Sequence, residues 1–266
     1  MSTVLGIDSI RLNLTKYRYK LRLLYLVVVY RKNISSHIEN TEISIADSLP
    51  EREYSMHGFR AIIRRNTDDF YLLFLDRERI YSYLALYEGE TFLDVGANVG
   101  YYTLRVAADY KKLKVKIISI EAHPLTYRAL TRNVQLNEFY NIETINKAVG
   151  DRTGLVTMYD HLDKKKRVIS GHSSICNSSD RLATYEVDIS TIDDLLQGRP
   201  VDVIKVDVEG AEEQVLRGAT RSLKHVRRIV VEIHEGNIEP IEGILKTSGF
   251  SVATTGRGRF VVGTKH

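Results

Sequence analysis

The sequence predicts an α/β protein with a doubly wound, mostly parallel sheet, and three observations predict it. From residue 91 onward, apolar runs of strand length alternate with segments of helical periodicity, which is the signature of βαβ units. The first of these runs, "TFLDV" (91–95), ends on an acid and feeds a Gly-rich turn carrying Gly96, Asn98 and Gly100. The chain closes with two β-rich runs around Gly256 and Gly258, which read as a hairpin adding an antiparallel edge.

The elements follow in order. Residues 1–56 read as a basic N-terminal arm and 57–88 as an α+β extension packing on the core formed by 89–266. In the extension, "FRAIIRR" (59–65) and "FYLLFL" (70–75) predict short strands around the turn "NTDD". "DRERIYSYLALY" (76–87) predicts a helix, because Ile80, Tyr83, Leu84 and Tyr87 share one stripe. Strand 91–95 then precedes helix 99–109, strand 115–122 precedes helix 124–137, and strand 142–149 follows. Runs 154–160 and 181–189 predict paired edge strands flanking a polar loop. A short helix 190–197 leads to strand 201–207, helix 210–223, strand 228–234 and helix 237–247.

Composition excludes several functions. At 43% apolar and 27% charged residues the chain is an ordinary globular protein. The single Cys176 rules out a disulfide framework and a thiolate zinc cluster, and no HExxH stands in for it, so no metal ligands are assigned. One cysteine suits a reducing compartment, and the expected location is the cytoplasm. The net charge of +4 is concentrated in residues 1–40, where seven Lys/Arg face only Asp8 and Glu39. The apolar run 21–30 inside this arm is too short to span a bilayer. It reads as an element packing on the core, or as a basic, apolar segment (11–32) lying on an anionic membrane surface.

In open α/β sheets, ligands bind outside the carboxyl ends of the strands. That rim gathers 94–100, 121–123, 148–151, 207–210 and 232–235. A dinucleotide expects G-x-G-x-x-G with its pyrophosphate on the helix N-terminus. Here the spacing is Gly96-x-Asn98-x-Gly100, and Asp94 just before it would repel a pyrophosphate. An aspartate there would attract an ammonium or a sulfonium. S-adenosylmethionine carries both, plus a carboxylate suited to free turn amides, and Glu121 is placed to accept from its two ribose hydroxyls. This argues for S-adenosylmethionine over NAD. The competing reading makes Asp94 a cap of helix 99–109 and Glu121 a solvated strand end.

Six segments in order, "FLDVGANVGYYTLRVA", "IEAHP", "NKAVGD", the Gly-His-Ser-Ser of 171–174, "STIDDLL" and "IKVDVEGAEEQVLRGA", resemble the FkbM family of S-adenosylmethionine-dependent methyltransferases. The resemblance covers about residues 89–235 and is weaker back to about residue 57. It implies a Rossmann-like class I methyltransferase sheet of seven strands and O-methylation of a hydroxyl on a sugar or other metabolite. It places Asp94, Gly96, Ala97, Asn98 and Gly100 around the methionine half of the cofactor. Glu121 matches the ribose-binding acid, with Ala122 and His123 near the adenine. Ala148 and Val149 match positions flanking the adenine ring, and Asp207 faces the methyl group.

A hydroxyl acceptor needs a positioned general base. Asp207, Glu209 and His234 are the candidates, ahead of His123 and His172. Glu209 reads equally as a helix cap or an acceptor contact, and His234 could be a hydrogen-bonded rim residue. Glu212 and Glu213 suit the positive end of helix 210–223. Ser173 and Ser174, with Glu209, are expected to contact the acceptor, and Lys164–Arg167 to attract an anionic one. The expected partner is a small-molecule or glycan acceptor. An RNA methyltransferase and a cofactor-binding module without activity are the alternatives. A near-neutral catalytic half without an aromatic recognition module argues against nucleic acid.

Overall fold

A computed structural model describes residues 51–64, 67, 69, 73, 80–162, 168–176, 181–234, 238–255 and 259–265. The arm segment 11–32, the Lys164–Arg167 cluster and all of the expected strand 70–75 except Leu73 lie outside the described residues.

The central sheet has seven strands: β3 (Thr91–Val95), β4 (Lys116–Ile120), β5 (Ile142–Ile145), β10 (Val203–Val206), β11 (Arg228–Glu232), β12 (Ser251–Thr255) and β13 (Phe260–Thr264). Their order is β12-β13-β11-β10-β3-β4-β5, parallel throughout the β11-to-β5 half. The terminal hairpin forms, and β13 slots between β11 and β12 and runs antiparallel to both. The hairpin thus gives the sheet its expected antiparallel edge, with β12 outermost and the reversed strand β13 second. β3, β10 and most of β4 and β11 are buried, as near-continuous Val/Ile/Leu runs covered on both faces should be.

Helices α1 (Tyr101–Asp109), α2 (Pro124–Leu136), α3 (Ile192–Leu196), α4 (Glu212–Arg217) and α5 (Ile238–Thr247) connect the strands. Leu93, Val95, Ile204, Val206, Ile229 and Val231 form one apolar cluster with Ile192, Val215, Leu216, Ile241 and Leu245 of α3, α4 and α5. Each such side chain contributes roughly 1.5–3 kcal/mol by leaving water. The expected helix 210–223 is shorter than predicted. It stops at Gly218, where a Cβ would sit 2.0 Å from the Gly150 carbonyl oxygen.

The expected strand 142–149 is two strands. β5 stays in the large sheet, and β6 (Ala148–Val149) starts a second sheet, where it is followed in order by β9 (Arg181–Ser190), β7 (Gly154–Leu162) and β8 (Val168–Ser174). β7 and β9 pair antiparallel as expected. β8 occupies part of what read as a polar loop and pairs antiparallel with β7.

The N-terminal extension differs most from expectation. β2 (Phe59–Ile63) pairs with β1 (Arg52–Met56) across a two-residue turn in which His57 and Gly58 both have positive φ, 43° and 81°. The proposed boundary at 56/57 thus falls inside a hairpin. Two asparagines of helix α2 and its C-cap hold that hairpin: Asn133 Oδ1 accepts from Ile62 N at 2.8 Å, and Asn137 Oδ1 from Arg60 N at 2.6 Å. Helix 76–87 reduces to one 3-10 turn at Tyr81–Tyr83 among the described residues. Beyond it the backbone leaves the helical path, so that Leu84 and Leu86, two apart, are both buried while Tyr87 is exposed. Arg228 and Arg227 bind the carbonyls of Tyr83 and Ala85 and hold this course.

Candidate active site

The chain order reverses between β3 and β10, which makes their carboxyl ends the switch point of the sheet. Gly96 leaves β3 with φ 76°, and a Cβ there would lie 1.7 Å from the backbone oxygen of Asp207. Only glycine lets the two strand ends approach so closely. Asn98 (φ 49°) and Gly100 (φ 98°) complete the turn, and Gly100 is the N-cap of α1 with no side chain bonded at that helix end.

Most amides of this turn are already engaged, where free ones were expected. Gly96 N and Ala97 N both donate to the Ile120 carbonyl, Asn98 N to Glu121 Oε2 (2.8 Å) and Gly100 N to the Ala97 carbonyl. A cofactor carboxylate is left with the positive end of α1. Oδ1 of Asn98 is buried and has no partner, so a polar ligand atom has a place there.

Asp94 is fully buried, and the structure corrects its role as a bare acid facing the crevice. Its Oδ2 accepts from Thr103 Oγ1 (2.7 Å), and its Oδ1 lies 3.1 Å from Nζ of Lys205, its register partner on β10. Lys205, which drew no attention in the sequence, donates to the Gly96 carbonyl (2.9 Å) and pairs with Asp207 Oδ2 at 3.3 Å. Burial works against its charge, but Asp94 and Asp207 outweigh burial and raise its pKa above the ordinary lysine range.

Glu121 leaves β4 buried, with Oε2 accepting from Asn98 N and Oε1 from His123 N (2.9 Å). Burial raises its carboxyl pKa, against the opposing effect of these two amides. His123 is the N-cap of α2: its Nδ1 accepts from Thr126 N at 3.3 Å, and its Nε2 lies 3.2 Å from Asp160 of β7. Those engagements make it a structural joint and remove it as a general base. Ala122 and Ala148 belong to one small apolar cluster with Met158, Val187 and Ile189. Val149 instead packs into the main core.

The three catalytic candidates converge, although they come from two segments. His234 Nε2 lies 3.5 Å from Asp207 Oδ1, 3.4 Å from Glu209 Oε1 and 3.9 Å from Glu232 Oε1. Its Nδ1 donates to Glu212 Oε1 at 3.1 Å, since a carboxylate can only accept. Glu212 does sit in the first turn of α4, where Gly210 N also donates to it, but its hold on His234 was not foreseen. Glu209 is held at φ 55°. Burial pushes its carboxyl up to about 8, with Asp207, Glu232 and Glu212 adding to the shift and His234 opposing it. Burial also opposes charge on His234, yet Glu212, Asp207, Glu209 and Glu232 raise it to about 9. Burial pushes Asp207 upward, but Lys205 and His234 outweigh it and hold that carboxyl below its usual range.

Ser173 and Ser174 do not behave as acceptor contacts. Ser174 is buried and donates to the Glu209 carbonyl at 2.6 Å, while Ser173 donates to Asp160 at 2.8 Å. The second sheet is thereby fastened to both sides of the crevice, at His123 through Asp160 and at Glu209 through Ser174.

Residues 94–252, more than half of the chain, match the family described as the methyltransferase FkbM domain. The chain belongs to the FkbM methyltransferase family. This methyltransferase is 26% identical over 202 residues to "Methyltransferase 1" of Beauveria bassiana, an alignment covering 68% of this chain and 79% of that protein. It is 28% identical over 188 residues to the "Hexuronic acid methyltransferase AglP" of Haloferax volcanii, covering 67% and 72% respectively. Among solved structures, it is similar to a methyltransferase FkbM from Methylobacillus flagellatus with a TM-score of 0.50 and 16% identity. That match covers 74% of this chain but only 48% of the other, so the chain spans about half of that structure's length.

Proposed function

We propose that this methyltransferase takes its methyl group from S-adenosylmethionine and places it on a hydroxyl of a sugar, glycan, glycolipid or other small metabolite. The observation that carries the reading is the convergence of Glu209 and Asp207 on His234 Nε2, each within 3.5 Å of it, at the switch point beside the Gly96 turn. S-adenosylmethionine supplies an electrophilic methyl carbon on a sulfonium. Glu121, oriented by two backbone amides, suits the two ribose hydroxyls, and the unpartnered Asn98 Oδ1 suits the ammonium. The positive end of α1 suits the cofactor's carboxylate, while Ala122 and Ala148 offer apolar surface to the adenine.

Glu209 is the group we assign as the proton acceptor. Asp207 is committed to Lys205 and Glu232 to Arg259, whereas Glu209 faces the His234 edge and its own acidic neighbours. With the cofactor bound, its carbon–sulfur bond would break as the acceptor oxygen takes the methyl and the neutral thioether would leave, while Glu209 would receive the hydroxyl proton and His234 would steady the carboxylates around it. The relative named for a hexuronic acid supports a sugar-like acceptor.

The test is mass spectrometry of a metabolite and oligosaccharide extract incubated with the protein and S-adenosylmethionine. One added CH2 on a hydroxyl-bearing product is the expected result. Glu209→Gln should lower kcat by roughly 10²–10⁴-fold, the usual contribution of a general base. Calorimetry should find its cofactor affinity unchanged. Loss of cofactor binding with kcat intact would reverse the assignment.

A further inference from the structure

We propose that Asp207, Glu232 and His234 form a binding site for one divalent cation at the acceptor side of the crevice. One donor atom from each residue lies within 4.8 Å of the other two. Bound to a cation at the ordinary distance of roughly 2.0–2.2 Å, such donors stand about 3.0–3.5 Å apart. His234 Nε2 and Asp207 Oδ1 are already at 3.5 Å, while Glu232 Oε1, 3.9 Å from His234 Nε2, would have to move closer to complete the set.

A second observation points the same way. A metal-bound imidazole characteristically donates its other nitrogen to a carboxylate, which fixes the ring and its tautomer. Here Nδ1 donates to Glu212, itself buried and anchored by Gly210 N, so Nε2 is the nitrogen turned toward the acids, and a cation would take the place of its proton. Asp207 likewise spends Oδ2 on Lys205 and turns Oδ1 toward His234. Arg259 binds the same Glu232 Oε1 through Nε at 2.6 Å and through Nη2, so a cation would share that oxygen with the guanidinium or take Oε2. Five carboxylates, Asp94, Asp207, Glu209, Glu212 and Glu232, stand in one connected group with Lys205, Arg259 and His234.

Two carboxylates and an imidazole, with no thiolate, suit Mn2+ or Zn2+ better than a soft metal. Three protein ligands leave positions open, so the ion would hold an acceptor oxygen and ease loss of its proton toward Glu209. That role rests on the methyl-transfer reading; binding of the ion does not.

Electron paramagnetic resonance of Mn2+ titrated with the full chain, without S-adenosylmethionine, tests the site. One bound Mn2+ per chain is expected, with affinity reduced about 10–100-fold in Glu212→Gln, which perturbs only the outer partner. His234→Ala and Glu232→Gln should lose more. His225→Ala, at an exposed histidine elsewhere, should bind as the unaltered protein does. Far-ultraviolet circular dichroism confirms folding, and should one ligand variant fail to fold, the other and Glu212→Gln carry the same reading. No binding by the unaltered chain up to about 1 mM, the weak end of protein sites for divalent cations, would overturn the proposal, as would equal binding by all variants. Calorimetry of S-adenosylmethionine with the metal-free protein reads the donor side separately, so the two proposals fail independently.

Discussion

The two sides of the crevice are built from the same residue types and behave oppositely. On the side of the Gly96 turn, each acid is met: Asp94 by Thr103 and Lys205, Glu121 by the amides of Asn98 and His123. On the other side, four carboxylates crowd one imidazole, and burial and mutual repulsion push Glu209 to about 8. An acid whose partners are built in fixes geometry. Asp207 and Glu232 lean on Lys205 and Arg259, whereas Glu209 shares His234 with its neighbours and is left with a raised proton affinity, and such perturbed groups gather where chemistry occurs.

The largest expected effect breaks the boundary between the two sides. Lys205→Met strands the buried Asp94 and the half-buried Asp207 and should cost about 3–5 kcal/mol in denaturant unfolding. Adding Asp94→Asn should recover part of that loss; purely additive losses would show that the pair is not coupled. On the saturated side, Glu121→Gln sets an NH2 against one of two donating amides. S-adenosylmethionine binding by calorimetry should weaken by about 1.5–3 kcal/mol, the value of a hydrogen bond to a charged group. Gly96→Ala should cost about 1–3 kcal/mol in stability by overpacking, because the strand ends must part to admit a methyl group.

The smallest effect is a control remote from both sides. Burial pushes Asp193 upward, but hydrogen bonds from Ser222 and Arg221 outweigh it and hold its pKa below the ordinary 3.8. Its contribution is therefore complete above that value and fades as pH falls through the lowered folded pKa. Asp193→Asn should cost about 1 kcal/mol at neutral pH, a gap that narrows in acid unfolding curves. A gap that widened in acid would contradict the sign.

The sheet was legible because its strands are near-continuous apolar runs and its first turn needs glycine. Asp207, Glu209 and His234 were legible as ends of such strands. Lys205 was not, since a lysine inside "VIKV" reads as an interruption. The signal was present all the same: Asp94 and Lys205 each stand two residues before the rim position, Gly96 or Asp207, that follows their strand. Opposite charges at equal offsets on neighbouring parallel strands meet in register. The stripe over 76–87 misled because Ile80, Tyr83 and Leu84 satisfy a helical spacing, while Leu84 and Leu86 satisfy an extended one equally well. Tertiary bonds from Arg227 and Arg228 decide between the two. Ser174 was misassigned for a related reason: its partner is a backbone carbonyl 35 residues away, which no local pattern reports.

Lys205 touches the Gly96 carbonyl, Asp94 and Asp207 with one ammonium. The two sides of the crevice therefore cannot drift apart in evolution as separate modules. A lineage that discards the acid at 94 inherits a stranded lysine, and one that discards the lysine inherits two repelling acids. Positions 94, 205 and 207 should change together among relatives or not at all, whatever acceptor each has come to use.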